Sequence, residues 1–228
     1  MTSRVDFEIT VEGARITKLG TTERRICVPC EISGYPVTSI GPGFLSGSPG
    51  TNGRTLVIPA SVISMDQDAL IGTGGISAIE YGGDLATFSS FKLVPDSDCT
   101  LRCTLDGEPF EFEFMRKHPM SFPEFDDAVL SLYMRLTPEV AISRLSNPIG
   151  LTPENRAKYE RFVSDRIMPR AEQAVSTGDT NVLAELFATG MVSDADLRRL
   201  LDRSLRSGRI GMTSMLMSET RRRFENKG

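Results

Sequence analysis

Short runs of alternating apolar and polar residues fill the first half of the chain. Residues 25–29 (RICVP) match residues 55–59 (TLVIP) position by position, at a spacing of 30 residues. Alternate side chains of a strand point to opposite faces, so Ile26 and Val28 share one face and Cys27 lies on the other. Proline ends each run because it has no N–H to donate to a neighbouring strand. The pattern predicts two equivalent strands.

The apolar residues after each proline also correspond. Ile40 matches Met65, and Phe44 matches Leu70. A third, degenerate unit begins at residues 76–81 (ISAIEY). One such unit cannot bury its own apolar face, so neighbouring units must stack to form a continuous core. The first half is therefore predicted to be a solenoid.

Two predicted hairpins flank these units. Residues 7–11 alternate up to the Glu-Gly pair at 12–13, and residues 101–105 alternate up to Asp-Gly at 106–107, followed by alternation over 110–114. Asp-Gly between two alternating runs is a strong signal for a hairpin turn. We expect both hairpins to close the open ends of the stack.

Residues 34–44 (GYPVTSIGPGF) resemble the BspA-type leucine-rich repeats of bacterial proteins. The second unit departs from that pattern, because Met65, Asp66 and Gln67 stand where Ile-Gly is expected. The resemblance covers about residues 1–95. It implies a short solenoid with a sheet on its concave side and a role in protein recognition.

Helix start and stop signals dominate the second half. Capping residues that start helices are Thr152, Asp179 and Ser193, and glycines that end them are Gly178, Gly190 and Gly208. Aligning Gly178 with Gly208 also aligns four apolar pairs: Val175 with Leu205, Val182 with Met212, Leu186 with Leu216 and Phe187 with Met217. Over residues 170–224 this helix, turn and helix unit resembles the ankyrin helix pair, without its Thr-Pro-Leu-His opening.

These patterns together predict an α+β protein. A short leucine-rich-repeat-type β solenoid with hairpin caps is expected over residues 1–114, and an all-α, ankyrin-like helical repeat array over 151–228. Between them, residues 115–150 contain four prolines and are predicted to be a linker with one helix, around 125–135.

The two halves of the chain differ in net charge. Residues 1–150 contain 12 basic and 19 acidic residues, whereas residues 151–228 contain 14 and 11, within a total net charge of -4. The run Arg221 to Arg223 suits the negative end of a helix dipole. Nucleic-acid binding through this Arg-rich C-terminus is an alternative, but we do not expect it, because the excess is small for such proteins.

Cys27, Cys30, Cys99 and Cys103 form two close pairs that could supply four thiolates to a tetrahedral zinc. A structural zinc protein, or a metal-dependent enzyme, is therefore a second alternative. The repeat explains the cysteines differently, because Cys27 matches Val57 in a strand, so reduced cysteines used as small apolar residues are favoured. We assign no metal ligand and no cofactor.

Candidates for catalysis are few. His118, the one histidine, is expected in an exposed loop beside Arg116 and Lys117, and Glu111 and Glu113 are expected on the solvent face of a hairpin. No catalytic residue is assigned, and the chain is predicted not to be an enzyme.

We expect a non-catalytic scaffold or adaptor whose partner is another protein. Exposed side chains of the concave sheet, such as Cys27 and Val57, or the ridge of helix pairs would bind it. The first residues contain acids and lack an apolar run, and no window reaches about 18 apolar residues. These patterns predict a cytoplasmic protein without a membrane partner, and the resemblance to BspA-type repeats implies a bacterial one.

Overall fold

The computed structural model describes residues 4–48, 52–73, 75–131 and 136–225. They belong to two compact units, Met1–Ala128 and Val129–Gly228. The chain is an α+β protein in which a β-solenoid of about four turns precedes a helical region, as predicted.

The strands described are all in the first unit. They are β1 Arg4–Ile9, β2 Ala14–Gly20, β3 Arg25–Cys27, β4 Glu31–Ile32, β5 Tyr35–Ile40, β6 Arg54–Ile58, β7 Ser64–Met65, β8 Ile76–Asp84, β9 Cys99–Leu105 and β10 Glu108–Phe114. The helices described are α1 Leu85–Ser90, α2 Glu124–Ser131, α3 Pro138–Ser146, α4 Pro153–Val163, α5 Ile167–Thr177, α6 Thr180–Ala188, α7 Asp194–Ser207 and α8 Ile210–Glu225.

Each turn of the solenoid adds one strand to each of two sheets. Strands β2, β5 and β7 pair in parallel in the first sheet, and β3, β6, β8 and β9 pair in parallel in the second. Ile26 lies opposite Leu56 across β3 and β6, and Ile40 lies opposite Met65 across β5 and β7. Both correspondences predicted from the sequence, the first at a spacing of 30 residues and the second at 25, are pairs across neighbouring parallel strands.

Hairpins extend the two sheets at opposite ends of the stack, as predicted. Strand β1 pairs antiparallel with β2 at the start of the first sheet, and β10 pairs antiparallel with β9 at the end of the second. In the second hairpin Asp106 and Gly107 have φ angles of 52° and 85°. Two consecutive positive φ angles characterise the hairpin turn that Asp-Gly favours.

An apolar ladder crosses the inner face of the second sheet. The pairing places one residue from each of its five strands side by side: Ile26, Leu56, Ile79, Leu101 and Phe112. All are at most 5% exposed. This ladder is the core that the alternation of the separate strands predicts, and it exists only because the turns stack.

A buried arginine, which the sequence did not predict, holds the loops beside this core. Arg54 is 0% exposed, and its guanidinium donates to the carbonyl oxygens of Thr21 and Glu23 at 3.2 and 3.3 Å and to Thr73 at 3.5 Å. Burial lowers the pKa of Arg54. Three carbonyl oxygens, and no carboxylate, accept hydrogen bonds from the buried cation. The same hydrogen bonds fix the ends of two turns.

The predicted linker is more helical than expected. Residues 115–150 contain α2 and α3, where one helix around 125–135 was predicted; the end of that prediction, 132–135, lies outside the described residues. Helix α3 begins with Pro138 after Thr137, whose side chain accepts a hydrogen bond from the Val140 N–H at 3.4 Å. Proline is favoured at the first helical position, so Pro138 marks a helix start rather than irregular chain. The boundaries proposed at 115 and 150 remain a prediction.

In the second unit the helices follow the predicted signals. Thr152, Asp179 and Ser193 cap α4, α6 and α7 with their side chains. Gly178 and Gly208 end α5 and α7 in the left-handed region, with φ angles of 83° and 67°, and α6 and α8 follow at once. A helix pair joined at glycine therefore occurs twice at a spacing of 30 residues. Its assignment to the ankyrin type stays a prediction.

We predict unequal losses of stability for two adjacent alanine substitutions in β6. Leu56 is 0% exposed, so Leu56→Ala leaves a cavity in the ladder and lowers the free energy of unfolding by about 2 to 5 kcal/mol. Val57 lies on the other face and is half-buried, so Val57→Ala costs less than about 1 kcal/mol. Denaturant unfolding of the full chain measures both. Equal losses would contradict the assignment of the two faces.

Candidate interaction surface

The outer face of the second sheet presents an open row of side chains. The strand pairing places one residue from each strand side by side: Cys27, Val57, Glu80, Arg102 and Glu111. We call these five residues the sheet row. Because neighbouring strands lie about 4.8 Å apart, the row is roughly 19 Å long. Cys27 and Val57, the predicted binding residues, both belong to it, the first exposed and the second half-buried.

Ion pairs with alternating charges cross this face. The two Nη atoms of Arg25 donate to the two carboxylate oxygens of Glu80 at 2.8 and 2.6 Å. On the next two strands, Arg102 of β9 donates through Nε to Glu111 of β10 at 2.8 Å. Bidentate pairing of arginine with a carboxylate gives these contacts a defined direction. The face is thus charged and ordered rather than apolar.

The charges reinforce one another. Hydrogen bonds from Arg25 hold the pKa of Glu80 below its usual value, and the positive charge of Arg102 lowers it further. Hydrogen bonds to Glu80 and Glu111 likewise raise the pKa values of Arg25 and Arg102. Glu80, Arg25 and Arg102 therefore remain ionised around neutral pH.

Sequence reasoning missed Arg25, Glu80 and Arg102 as surface residues. A local signal was present, because each is the polar member of an alternating run. Which residues pair across strands was not visible, since the register shifts between Arg54 and Thr55 and again between Glu80 and Asp84. Repeat spacing alone cannot locate such shifts.

An open groove lies at the turn between α5 and α6, on the predicted ridge of helix pairs. Its volume is about 540 Å³, and its lining includes Arg170, Gln173, Thr177, Asp179 and Val182. Arg170 donates through Nη1 to Glu139 at 2.7 Å, which holds the guanidinium at the edge of the groove. The lining mixes polar and apolar side chains, so the groove is a second candidate surface.

His118 is not in an exposed loop, contrary to the prediction. It is 1% exposed, and its ring stacks edge-on against Phe125 at a centroid distance of 6.0 Å. Nδ1 donates to the carbonyl oxygen of Arg116 at 2.9 Å, while Nε2 is buried with no hydrogen-bond partner among the described residues. The backbone N–H of Lys117, at a φ of 60°, donates to Pro95, and this tight turn directs the histidine inward.

The four cysteines do not converge on a metal, contrary to the zinc alternative. Cys27 lies on β3 and Cys99 and Cys103 on β9, with β6 and β8 between these strands. Three strand spacings amount to roughly 14 Å, beyond any shared ion. Cys27 and Cys30 are exposed, whereas Cys99 and Cys103 are buried. Burial raises their thiol pKa values to about 12 and about 11, which disfavours the thiolate that zinc requires.

We predict two classes of thiol in the native protein. An aromatic disulfide reagent at pH 8 should modify Cys27 and Cys30 rapidly, while Cys99 and Cys103 react only on unfolding. Peptide mass mapping identifies the modified positions. Rapid modification of Cys99 would contradict its burial, and a chelator-dependent rate at Cys27 would revive the metal alternative.

Two of the three C-terminal arginines have internal partners, which weakens the nucleic-acid alternative. Arg222 and Arg223 both donate to the carboxylate of Glu219, at 2.7 to 2.9 Å. Arg223 also donates to the carbonyl oxygen of Val192 at 2.7 Å and lies over the ring of Phe187. Arg223 thus connects α8 to its neighbours, and the charge of Arg222, which stays exposed, is partly offset by Glu219 in the same helix.

No group of three or more His, Cys, Asp or Glu side chains within the described ranges is placed to hold a metal ion. None of the helices described is both long and apolar enough to cross a membrane.

No family model matches the chain, and no curated protein matches it. Among solved structures, a leucine-rich repeat protein from Bacteroides capillosus ATCC 29799 is 22% identical, with a TM-score of 0.28 over 37% of this chain and 78% of that one. A leucine rich cell surface protein from Faecalibacterium prausnitzii A2-165 is 19% identical, with a TM-score of 0.31 over 44% of this chain and 32% of that one.

The Arg25–Glu80 pair predicts a dependence of stability on pH. Because the pKa of folded Glu80 is depressed, its contribution is present above the ordinary Glu pKa of 4.5 and is lost as the pH falls through the folded value. We expect the wild type to melt at a higher temperature than Glu80→Gln at pH 7, by a small margin that salt reduces, and the two to converge in acid.

The matched control for this series is Glu113→Gln. It removes one carboxylate from the outer face of β10 without touching Arg25. Thermal unfolding from pH 7 to pH 3 compares the three proteins. A difference between wild type and Glu80→Gln that grows on acidification would have the wrong sign.

Proposed function

We propose that this chain is a non-catalytic scaffold that binds another protein through the sheet row. The observation that carries the proposal is the row itself, an open and ordered line of five side chains across five paired strands. A surface of this kind offers many shallow contacts and no enclosed chamber for a small substrate. Extended faces of repeat proteins bind other macromolecules in this way.

The chemistry of the row favours a protein partner. Val57 provides an apolar centre, with exposed Cys27 on one side and the paired charges of Glu80 and Arg102 on the other. A small apolar centre with a polar rim is typical of transient protein interfaces. The acidic excess of residues 1–150 favours a partner whose contacting surface is basic.

The proposal extends to the types of the two repeats and to the compartment of the protein. We assign the solenoid to the leucine-rich-repeat type and the helix pairs to the ankyrin type, and place the protein in a bacterial cytoplasm. The parallel strands at a spacing of 30 residues support the first, and the paired helices joined at Gly178 and Gly208 support the second. Free, exposed thiols at Cys27 and Cys30 agree with a reducing compartment.

A substitution at the centre of the row tests the proposal. Partners are captured from an extract of the source cells with the wild-type chain, then purified, and their affinity is measured by calorimetry. Val57→Arg places a long cation on the row and should weaken binding about tenfold or more. The fold is retained, because the Val57 side chain points away from the core.

The matched control is Val94→Arg, at an apolar residue that is 42% exposed between α1 and β9. It should bind like the wild type. A partner that binds Val57→Arg and the wild type equally would contradict the assignment of the surface. Turnover of a defined small molecule by the purified chain, with no reproducible protein partner, would contradict the function.

A further inference from the structure

A second row of side chains lies on the outer face of the first sheet. The strand pairing places one residue each from β1, β2, β5 and β7 side by side: Glu8, Arg15, Ser39 and Ser64. The residues that follow the last three along their strands, Ile16, Ile40 and Met65, are at most 6% exposed and form the inner face. Arg15, Ser39 and Ser64 therefore point outward, and they line an open groove of about 360 Å³. We call it the first-sheet groove.

The tip of the hairpin β1–β2 forms one wall of this groove. At Gly13, where φ is 142°, a Cβ atom would overlap the carbonyl oxygen of Pro36, so glycine allows the tip to approach β5 closely. This approach places Val11 and Glu12 beside the groove. Val11 is fully exposed. The wall thus combines a carboxylate with an uncovered apolar side chain.

Negative charge predominates in the first-sheet groove. Arg15 donates through Nη2 to the carboxylate of Asp66, so these two charges offset each other. The carboxylate of Glu12 has no ion-pair or hydrogen-bond partner within the described ranges. Glu8, beside Arg15 on the neighbouring strand, adds a further negative charge. A positively charged group is therefore the ligand that the charges of this groove favour.

Two serine hydroxyls restrict the kind of cation. Ser39 and Ser64 lie opposite each other on β5 and β7, and neither hydroxyl has a hydrogen-bond partner among the residues that the structure describes. Because neighbouring strands lie about 4.8 Å apart, one donor atom between the hydroxyls reaches both oxygens at about 3 Å. A primary ammonium group has three N–H donors on one nitrogen, enough for two hydroxyls and a carboxylate. A guanidinium spreads its donors over a planar fork, and a quaternary ammonium has none.

We propose that the first-sheet groove binds a primary ammonium group. The ammonium donates to the hydroxyl oxygens of Ser39 and Ser64 and to the carboxylate of Glu12. The alkyl chain that carries it lies along Val11. A lysine side chain of another protein and a free alkyl amine share this chemistry. The inference concerns the first sheet and does not depend on the partner proposed for the sheet row.

NMR titration of the full chain, labelled with ¹⁵N, tests the proposal with two probes. They are butylammonium and a short peptide with blocked ends and one central lysine, both protonated at neutral pH. Each should shift the amide signals of Glu12, Ser39 and Ser64 saturably, with a dissociation constant in the millimolar range. A peptide that binds at least about threefold more tightly identifies a lysine side chain as the source, and equal affinities identify a free amine. Absence of saturable shifts at these residues with both probes overturns the proposal.

Tetramethylammonium separates hydrogen bonding from charge in the wild-type protein. It carries the same positive charge as butylammonium but has no N–H donor. Loss of the hydrogen bonds should weaken its binding at least about fivefold relative to butylammonium. Equal affinity for the two cations overturns the proposal, because a general attraction to the acidic surface would then explain the binding.

Substitutions in the groove test the assigned contacts. Glu12→Gln, at the exposed hairpin tip, should weaken butylammonium binding about fivefold or more, and Ser64→Ala about threefold. The matched control Glu108→Gln removes an exposed carboxylate from the other hairpin, β9–β10, and should bind like the wild type. Far-ultraviolet circular dichroism checks that each variant is folded. Unchanged affinity in Glu12→Gln, or an equal loss in Glu108→Gln, overturns the proposal.

Discussion

Stacking of neighbouring units is the constraint on which this structure depends. Each turn of the solenoid has one apolar side, and Leu56 is fully buried only because β3 and β8 lie against β6 on either side. Because burial is shared between turns, neither end of the stack can be left as an ordinary turn. The hairpins β1–β2 and β9–β10 meet this requirement by extending one sheet at each end. In the helical unit, α7 and α8 in turn cover α5 and α6.

Stacking also encloses polar groups, among them Arg54 and His118. Arg54 enters the stack where two turns meet, and the carbonyl oxygens of Thr21, Glu23 and Thr73 replace the water it loses. His118 has one nitrogen satisfied by the carbonyl of Arg116, while the other lies within the same aromatic region as Phe125. Both residues therefore serve the packing of loops and ends, which explains why neither fits a catalytic role.

Local periodicity was sufficient for the solenoid and for part of its surface. Alternation assigned Leu56 to the core and Val57 to the outside, and the 30-residue spacing gave the parallel register. The same reasoning failed for Arg54 and His118, because loops distant in sequence create their surroundings. Glu80 was not assigned to the surface from the sequence, because the register shifts where β8 pairs with β6 and again where it pairs with β9. The repeat spacing reveals neither shift. In the helices, the sequence showed which positions correspond, but it did not show which of the corresponding side chains would be buried and which exposed.

The charges beside the sheet row are already held in ion pairs on the protein's own surface. A partner must therefore exchange existing contacts for new ones, so the gain in binding free energy from each charge is small. Under the proposed function, affinity would then depend on the apolar centre at Val57 and on contacts along the whole row more than on any single charge.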